Sequence, residues 1–322
     1  MRVVVTGAAG FIGGRLAREL LARGTLDGSP IEQLLLVDRG FREPISDSRV
    51  TLLSGDLRAG ELRERIFGRP VDGIFHLAAT LTAQAEQDFD QGIAMNLNGI
   101  LEVLEDCRRQ GESQGRPLRL IFSSSMAAFG PPPFPAVVTD DSPQRPQISY
   151  GVQKTIAELL LDDYTRRGFI DGRGLRFPVV LIRPRGAAPA LSEFISAMVR
   201  EPLLGAKVVC PFAARTVMPV VSVGATARGL ITLYEMPSDT VGVVRTMNLP
   251  ALTVTIEQML AALERRAGAG ARQLIDWQPD ARLQGLMDSM PRGFASARAE
   301  AAGIHPEPSF DAVIEDFVQA YA

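Results

Sequence analysis

The sequence predicts an α/β protein in which a doubly wound parallel sheet, with helices on both faces, is joined to a smaller carboxy-terminal lobe. Three observations predict it. Strand-like runs alternate with helical ones through the first half of the chain, the order that parallel strands and crossover helices produce. Those runs are apolar without alternation, as expected of strands covered on both faces. A glycine-rich turn joins the first strand to the first helix, which is the opening of a βαβ unit.

The elements follow in order. RVVVTG (2–7) leads into a helix from Phe11 to Arg23, followed by QLLLVD (33–38), VTLLSGD (50–56), GIFHLAA (73–79), a helix around 92–110, LRLIFSSS (118–125), and FPVVLIRP (177–184) as a further strand. Between these last two, SYGVQKTIAELLLDDY (149–164) reads as a helix opened by Ser149 or Gln147 and stopped at Gly168, with Arg167 its last residue. Beyond Arg183 the pattern loosens into helices ending near Arg200, at 224–235, at 255–266 and at 309–321, with a strand-like VVRTMNL (243–249) returned to the sheet. The expected division is a cofactor-binding domain of residues 1–183 with 220–249 and a lobe of residues 184–219 with 250–322. The proline-rich loop 130–147 is long and stiff, a form more often functional than idle.

The bulk numbers narrow the function. At 322 residues and 46% hydrophobic content the chain can bury a substantial core, and a net charge of −3 offers no general attraction to nucleic acid or anionic lipid. Apolar runs such as LLLV (34–37) and FPVVLI (177–182) are too short to span a bilayer, so a cytoplasmic location without nucleic-acid or membrane partners is expected. Cys107, Cys210, His76 and His305 are too few for a disulfide scaffold or a metal cluster, and no metal is expected.

TGAAGFIGG (6–14) places Gly7, Gly10 and Gly13 where a backbone must approach a pyrophosphate and the amides of a helix amino terminus face it. Asp38 ends the next strand, where a carboxylate would accept the adenosine ribose hydroxyls and disfavour the extra phosphate of NADP, although Arg39 and Arg42 lie close by. NAD is the expected cofactor. On the helix from 149, Tyr150 and Lys154 are one turn apart on one face, with Ala157 and Leu161, while Val152, Ile156 and Leu159 share the opposite one. A cation beside a phenol favours phenolate, which makes Tyr150 a candidate general base; an exposed pair without chemistry is the alternative. Lys154 is one of only two lysines, with Lys207.

The set TGAAGFIGG, Asp56 with Leu57, HLAA (76–79), Asn96 with Gly99, SSS (123–125) and Tyr150 with Lys154 resembles the extended short-chain dehydrogenase/reductase superfamily, in that family's order, over residues 1–186. A longer likeness, in AEQDFDQG, SYGVQKTIAELLLDDYTRRGFIDGR, SEFISAMVREPL, VVCP and NLPALTVTIEQMLAALE, is similar to the D-erythronate dehydrogenase branch. LTAQAE (81–86) and RPRGAAPA (183–190) depart from that branch, and both segments should border the substrate.

The resemblance implies a Rossmann-type cofactor domain and NAD-dependent oxidation of a secondary alcohol on a small sugar acid. It implies Tyr150 as the base, Lys154 on the nicotinamide ribose and depressing the tyrosine pKa, and Ser125 on the reacting hydroxyl. Phe11 and Ile12 join the glycines, Asp56 and Leu57 flank the adenine, Ala78, Ala79 and Thr80 line the dinucleotide, and Ser123, Asn96 and Pro184 complete the cofactor side. Thr82, Met126 and Arg185 join Ser125 and Tyr150 on the substrate side. Asn96 could instead cap a helix, Ser123 or Ser124 could merely satisfy a strand end, and His76 reads as a core histidine. A homodimer formed through the helices at 92–110 and 149–167 is also implied, with Ile156, Leu159, Leu160 and Leu161 as apolar surface. The other chemistries open to this motif set are nucleotide-sugar epimerisation or dehydration, and a non-catalytic dinucleotide sensor.

Overall fold

The computed structural model describes residues 1–186 and 191–321. Residues 187–190, the end of RPRGAAPA, lie outside the described residues.

The main strands are β1 (Arg2–Thr6), β2 (Gln33–Asp38), β3 (Val50–Ser54), β4 (Gly73–His76), β5 (Leu118–Ser125), β6 (Ile170–Phe177), β7 (Val179–Leu181), β8 (Val217–Ser222), β9 (Thr246–Asn248) and β10 (Leu252–Thr255). The main helices are α1 (Phe11–Arg23), α2 (Gly60–Phe67), α3 (Gly99–Gln114), α4 (Ser149–Arg166), α5 (Leu191–Leu203), α6 (Val223–Glu235), α7 (Ile256–Ala267) and α8 (Phe310–Tyr321). Seven strands form one sheet in the order β3-β2-β1-β4-β5-β6-β9. Val3 of β1 lies opposite Leu34 of β2 on one side and Gly73 of β4 on the other, all three running parallel. The chain winds outward in both directions from the β1–β4 pair, so a crevice opens at their carboxy ends, the position in which doubly wound sheets bind ligands. Thr6–Gly7, His76–Ala79 and Ser123–Ser125 stand at the ends of the three central strands.

The chain divides into two compact units, residues 1–128, 148–176 and 227–247 forming one, residues 129–147, 177–226 and 248–322 the other. The first is built on the sheet, with Val4, Leu35, Ile74, Leu120, Val103, Ala157 and Leu161 in one buried cluster. Burying side chains of this size contributes roughly 1.5–3 kcal/mol each. The second has its own cluster, including Leu181, Ile195, Val220, Met259 and Ile314. Its loop 129–147 is fixed locally, because Asp140 accepts from Asn248 N and Ser296 Oγ, both at 2.6 Å.

Four details depart from the sequence reading. The strand expected at 177–184 is the short β7, which pairs with β8 in a separate three-stranded sheet, β10-β8-β7. The sheet strand is β6, in a stretch whose arginines mask it: Arg173 and Arg176 are both buried and fully partnered. Ser149 and Gln147 do not cap α4; its Ser149 N–H is met by Glu86 Oε1 at 2.5 Å, so a side chain from another helix does the capping. The helix expected at 92–110 carries a π-helical turn, Ala94–Asn98, before α3. The apolar face Val152, Ile156 and Leu159 is open, Leu159 being 62% exposed, whereas Leu160 and Leu161 pack into the core.

Candidate active site

The glycine turn has no room for side chains. Gly7 sits at φ +70, and a Cβ there would lie 2.8 Å from the Ala78 nitrogen. A Cβ on Gly13 would lie 2.1 Å from the Gly7 carbonyl oxygen, and on Gly10 3.1 Å from the same atom. Only glycine lets α1 start this close to β1 and β4, which leaves backbone N–H groups at the helix terminus facing the crevice. Asp38, at the end of β2, accepts from Ala9 N at 2.9 Å and Arg39 N at 2.7 Å, so its carboxylate is held against the same turn. A bare turn with a carboxylate at its side is the cradle a dinucleotide requires, and the residues present fit NAD. Phe11 and Ile12 follow in the first turn of α1, both half-buried. Asp56 pairs with Arg58 at 2.5 Å and is held down to about 2 by that hydrogen bond, while Leu57 beside it is buried.

At the end of β4, Thr6 Oγ1 accepts from Leu77 N and Ala78 N, each at 3.2 Å, and lies 3.0 Å from His76 Nδ1. His76 is held down to about 3, first by burial and then by the positive charge of Lys154, and stays neutral. It is the core histidine the sequence suggests. Asn96 does not cap a helix. Its Oδ1 accepts from Thr80 N at 2.8 Å and its Nδ2 donates to Thr80 O at 3.1 Å, which fixes the loop that begins with Ala78 and Ala79.

Tyr150 and Lys154 project from the first turns of α4 toward the end of β5. Lys154 is 2% exposed, with its Nζ donating to Ser123 O at 2.7 Å, 4.6 Å from the centroid of Phe122 and 5.6 Å from that of Tyr150. Burial lowers its ammonium to about 7 against the opposing pull of the Glu158 carboxylate. Tyr150 is pushed up to about 12 by burial, with a hydrogen bond from Ser125 acting in the other direction. The downward shift expected from the neighbouring ammonium is therefore reversed in the protein by itself, because desolvation of the phenolate outweighs it. Ser125 Oγ also accepts from Ala127 N at 3.1 Å, Ser123 Oγ donates to His76 O at 3.2 Å, and Ser124 is turned away to Glu158. The three serines thus separate into one beside the phenol and two that satisfy the interior.

Thr82 opens a short helix (Thr82–Gln87) and Met126 is buried just after β5. Pro184 and Arg185 belong to the second unit, where Arg185 is exposed and paired with Glu201. Gln153, Glu158 and Arg176 were not legible as site residues. Glu158 Oε2 meets Arg176 Nη2 at 2.7 Å with both side chains buried, one turn beyond Lys154, and Gln153 bonds to Asn96. The signal available for Gln153 and Glu158 was position, polar residues on the inward side of α4, whereas Arg176 lies in a strand whose polar residues hid it.

Comparison with known proteins bears on the family and the fold. The model of the NAD dependent epimerase/dehydratase family matches residues 3–247. A D-erythronate dehydrogenase of Cupriavidus necator is 41% identical over 323 residues, 99% of this chain and 98% of that protein. A D-erythronate dehydrogenase of Haemophilus influenzae is 35% identical over 99% of both chains. Among solved structures, the nucleoside-diphosphate-sugar epimerase of Agrobacterium tumefaciens superposes with a TM-score of 0.94 at 34% identity, covering 100% of this chain and 94% of that one. With a family match over most of its length and full-length relatives at 41% and 35% identity, the chain belongs to the NAD dependent epimerase/dehydratase family.

Proposed function

We propose that the protein oxidises a secondary alcohol of a small sugar acid, D-erythronate or a close relative, with Tyr150 as the base. The observation that carries the reading is the buried Tyr150 phenol hydrogen-bonded with Ser125, with the buried Lys154 ammonium 5.6 Å from the centroid of its ring. Full-length likeness to two D-erythronate dehydrogenases supports the substrate class. In this reading residues 1–183 with 220–249 bind the cofactor, and residues 184–219 with 250–322, Arg185 among them, bind the substrate.

The residues divide the work. Ser125 holds the alcohol oxygen, and Tyr150 as phenolate takes the hydroxyl proton while the carbonyl forms. Lys154 uses one of its three N–H donors on Ser123 O; no other protein acceptor meets it among the described residues, so the other two are free for ribose hydroxyls. Gly7, Gly10 and Gly13 would hold the pyrophosphate, Asp38 the adenosine ribose, Asp56 and Leu57 the adenine, and Ala78 to Thr80 the middle of the dinucleotide. NAD+, when bound, supplies the hydride acceptor and a positive ring that favours phenolate at Tyr150. Asp38 gives the preference for NAD over NADP.

The test is purified protein with NAD+ and a panel of sugar acids, followed by the absorbance of reduced cofactor. Net reduction with a four-carbon acid is expected. A second reading, nucleotide-sugar epimerisation, is favoured by the likeness to the Agrobacterium epimerase; turnover of a nucleotide sugar without net reduction would establish it instead.

A further inference from the structure

Gln153 sits between Tyr150 and Lys154 on α4, yet it is 1% exposed and takes part in neither of their contacts. Its Oε1 accepts from Asn96 Nδ2 at 2.7 Å. Asn96, itself buried, spans the Thr80 backbone with both ends of its amide, so Thr80, Asn96 and Gln153 form one continuous chain of buried hydrogen bonds. Asn96 stands in the middle of the π-helical turn Ala94–Asn98, where Gly99 N–H reaches back five residues to Ala94 O. A π turn shifts the facing of a side chain relative to the α-helix around it, and such turns occur often at functional sites. A fourth residue shapes the pocket: a Cβ on Gly92 would lie 2.8 Å from Gln153 Nε2 and 3.2 Å from Ala85 Cβ, so only glycine leaves the amide in place. Gln153 Nε2 is buried and has no partner among the described residues, so the side chain is held there by its Oε1 bond and by packing.

Resting on the reading of Tyr150 and Lys154 given above, we propose that Gln153 is a positioning residue. Through Asn96 it sets the Thr80 backbone, and with it the loop 77–80 along the dinucleotide, at a fixed distance from the face of α4 that bears the base. The physical reason is that Gln153 follows Tyr150 by three residues and precedes Lys154 by one. Any turn of α4 about its axis that moves the two reactive groups also breaks the Gln153–Asn96 bond. A broken bond leaves buried amide groups unpaired, which the interior strongly disfavours.

The experiment measures the NAD+ dissociation constant, kcat, KM for the alcohol and the hydrogen-exchange rate of the Thr80 amide. The variants are Gln153→Met, Gln153→Glu, Asn96→Ala, Gly92→Ala and the Gln153→Met/Asn96→Ala double. Gln153→Met, of similar length but without an acceptor, is expected to speed Thr80 exchange, weaken NAD+ and lower kcat, each by about tenfold, as one lost buried hydrogen bond does. KM for the alcohol should stay within about twofold. Gln153→Glu keeps an acceptor for Asn96 and should recover most of each loss. Because Gln153 acts through Asn96, the double variant should be no worse than Asn96→Ala alone. Wild-type Thr80 exchange and NAD+ affinity in Gln153→Met, or losses that multiply in the double, overturn the proposal. Should Gln153→Met not fold, Gly92→Ala keeps the glutamine but presses on its amide and must show the same changes; wild-type behaviour there overturns the proposal equally. Full kcat in Tyr150→Phe would sink the base assignment yet leave Thr80 exchange and NAD+ affinity untouched, so the two failures are told apart.

Discussion

Lys154 and Ser123 are joined by a 2.7 Å hydrogen bond from ammonium to backbone carbonyl, in an interior that leaves the lysine 2% exposed. The stability consequence has a definite sign. The ammonium falls to about 7 in the folded protein from 10.5 as its ordinary value. Between those values the unfolded chain holds a proton that the folded one lacks, so this group's contribution to stability rises with pH across the window and is least favourable below about 7. Lys154→Met should therefore raise Tm at pH 6 without cofactor, by an amount that fades toward pH 10. Thermal unfolding at the two pH values checks it; an equal gain at both would show that the buried charge is not its source.

Tyr150→Phe removes the proposed base while leaving the packing of α4. A fall in kcat of roughly 10²- to 10⁴-fold is expected, with NAD+ affinity close to wild type. Burial pushes the phenol up to about 12 in the protein alone, so kcat/KM should climb with pH through the neutral range. Lys154→Arg keeps the charge but replaces a compact ammonium on a flexible stem by a planar fork, and should be severely impaired with its profile moved further alkaline. Rate profiles for wild type and both variants are the measurement, and a Tyr150→Phe enzyme within a few-fold of wild type would reject the mechanism.

Asp38 accepts from Ala9 N and Arg39 N, which holds its carboxylate at the side of the glycine turn. Asp38→Ala should narrow the preference for NAD+ over NADP+ by removing a carboxylate that repels the additional phosphate. Comparing kcat/KM with each cofactor in the two proteins decides it. A wild-type enzyme equally efficient with both would contradict the assignment.

Leu101, Val152, Ile156 and Leu159 are exposed apolar side chains on α3 and α4. Exposed apolar side chains on two helices are unfavourable in water, and pairing α3 and α4 with the same helices of a second copy would cover them. A homodimer is expected by light scattering at micromolar concentration, with Leu159→Glu shifting the mass to that of a monomer. A wild-type protein that is monomeric under those conditions would refute the interface.

The sequence disclosed the parts of this fold that depend on local pattern and hid those that depend on partners. The glycine turn, the central strands and the Tyr150–Lys154 pair were legible because spacing alone defines them. Strand β6 was not, since IDGRGLRF reads as polar until Glu158 is seen beneath Arg176 and the carbonyls of Leu233, Tyr234 and Met236 around Arg173. FPVVLI looked like the better strand on composition and went to the wrong sheet for the same reason. The direction of the Tyr150 shift was also hidden, because burial is a property of the folded surroundings and has no signature in a YxxxK spacing.

Arg173 carries a consequence for how the molecule can be assembled. Its guanidinium donates to carbonyls that arrive 60 to 63 residues later in the chain. A nascent chain that has emerged only as far as β6 would leave that guanidinium paired with Asp171 alone, its three carbonyl bonds unmade, so the strand is expected to dock stably only once the end of α6 is present. The sheet-bearing unit is for that reason expected not to be a detachable fragment. Cut before residue 227, it would lose the closure of its own sheet, and the shortest piece expected to fold independently runs through β9.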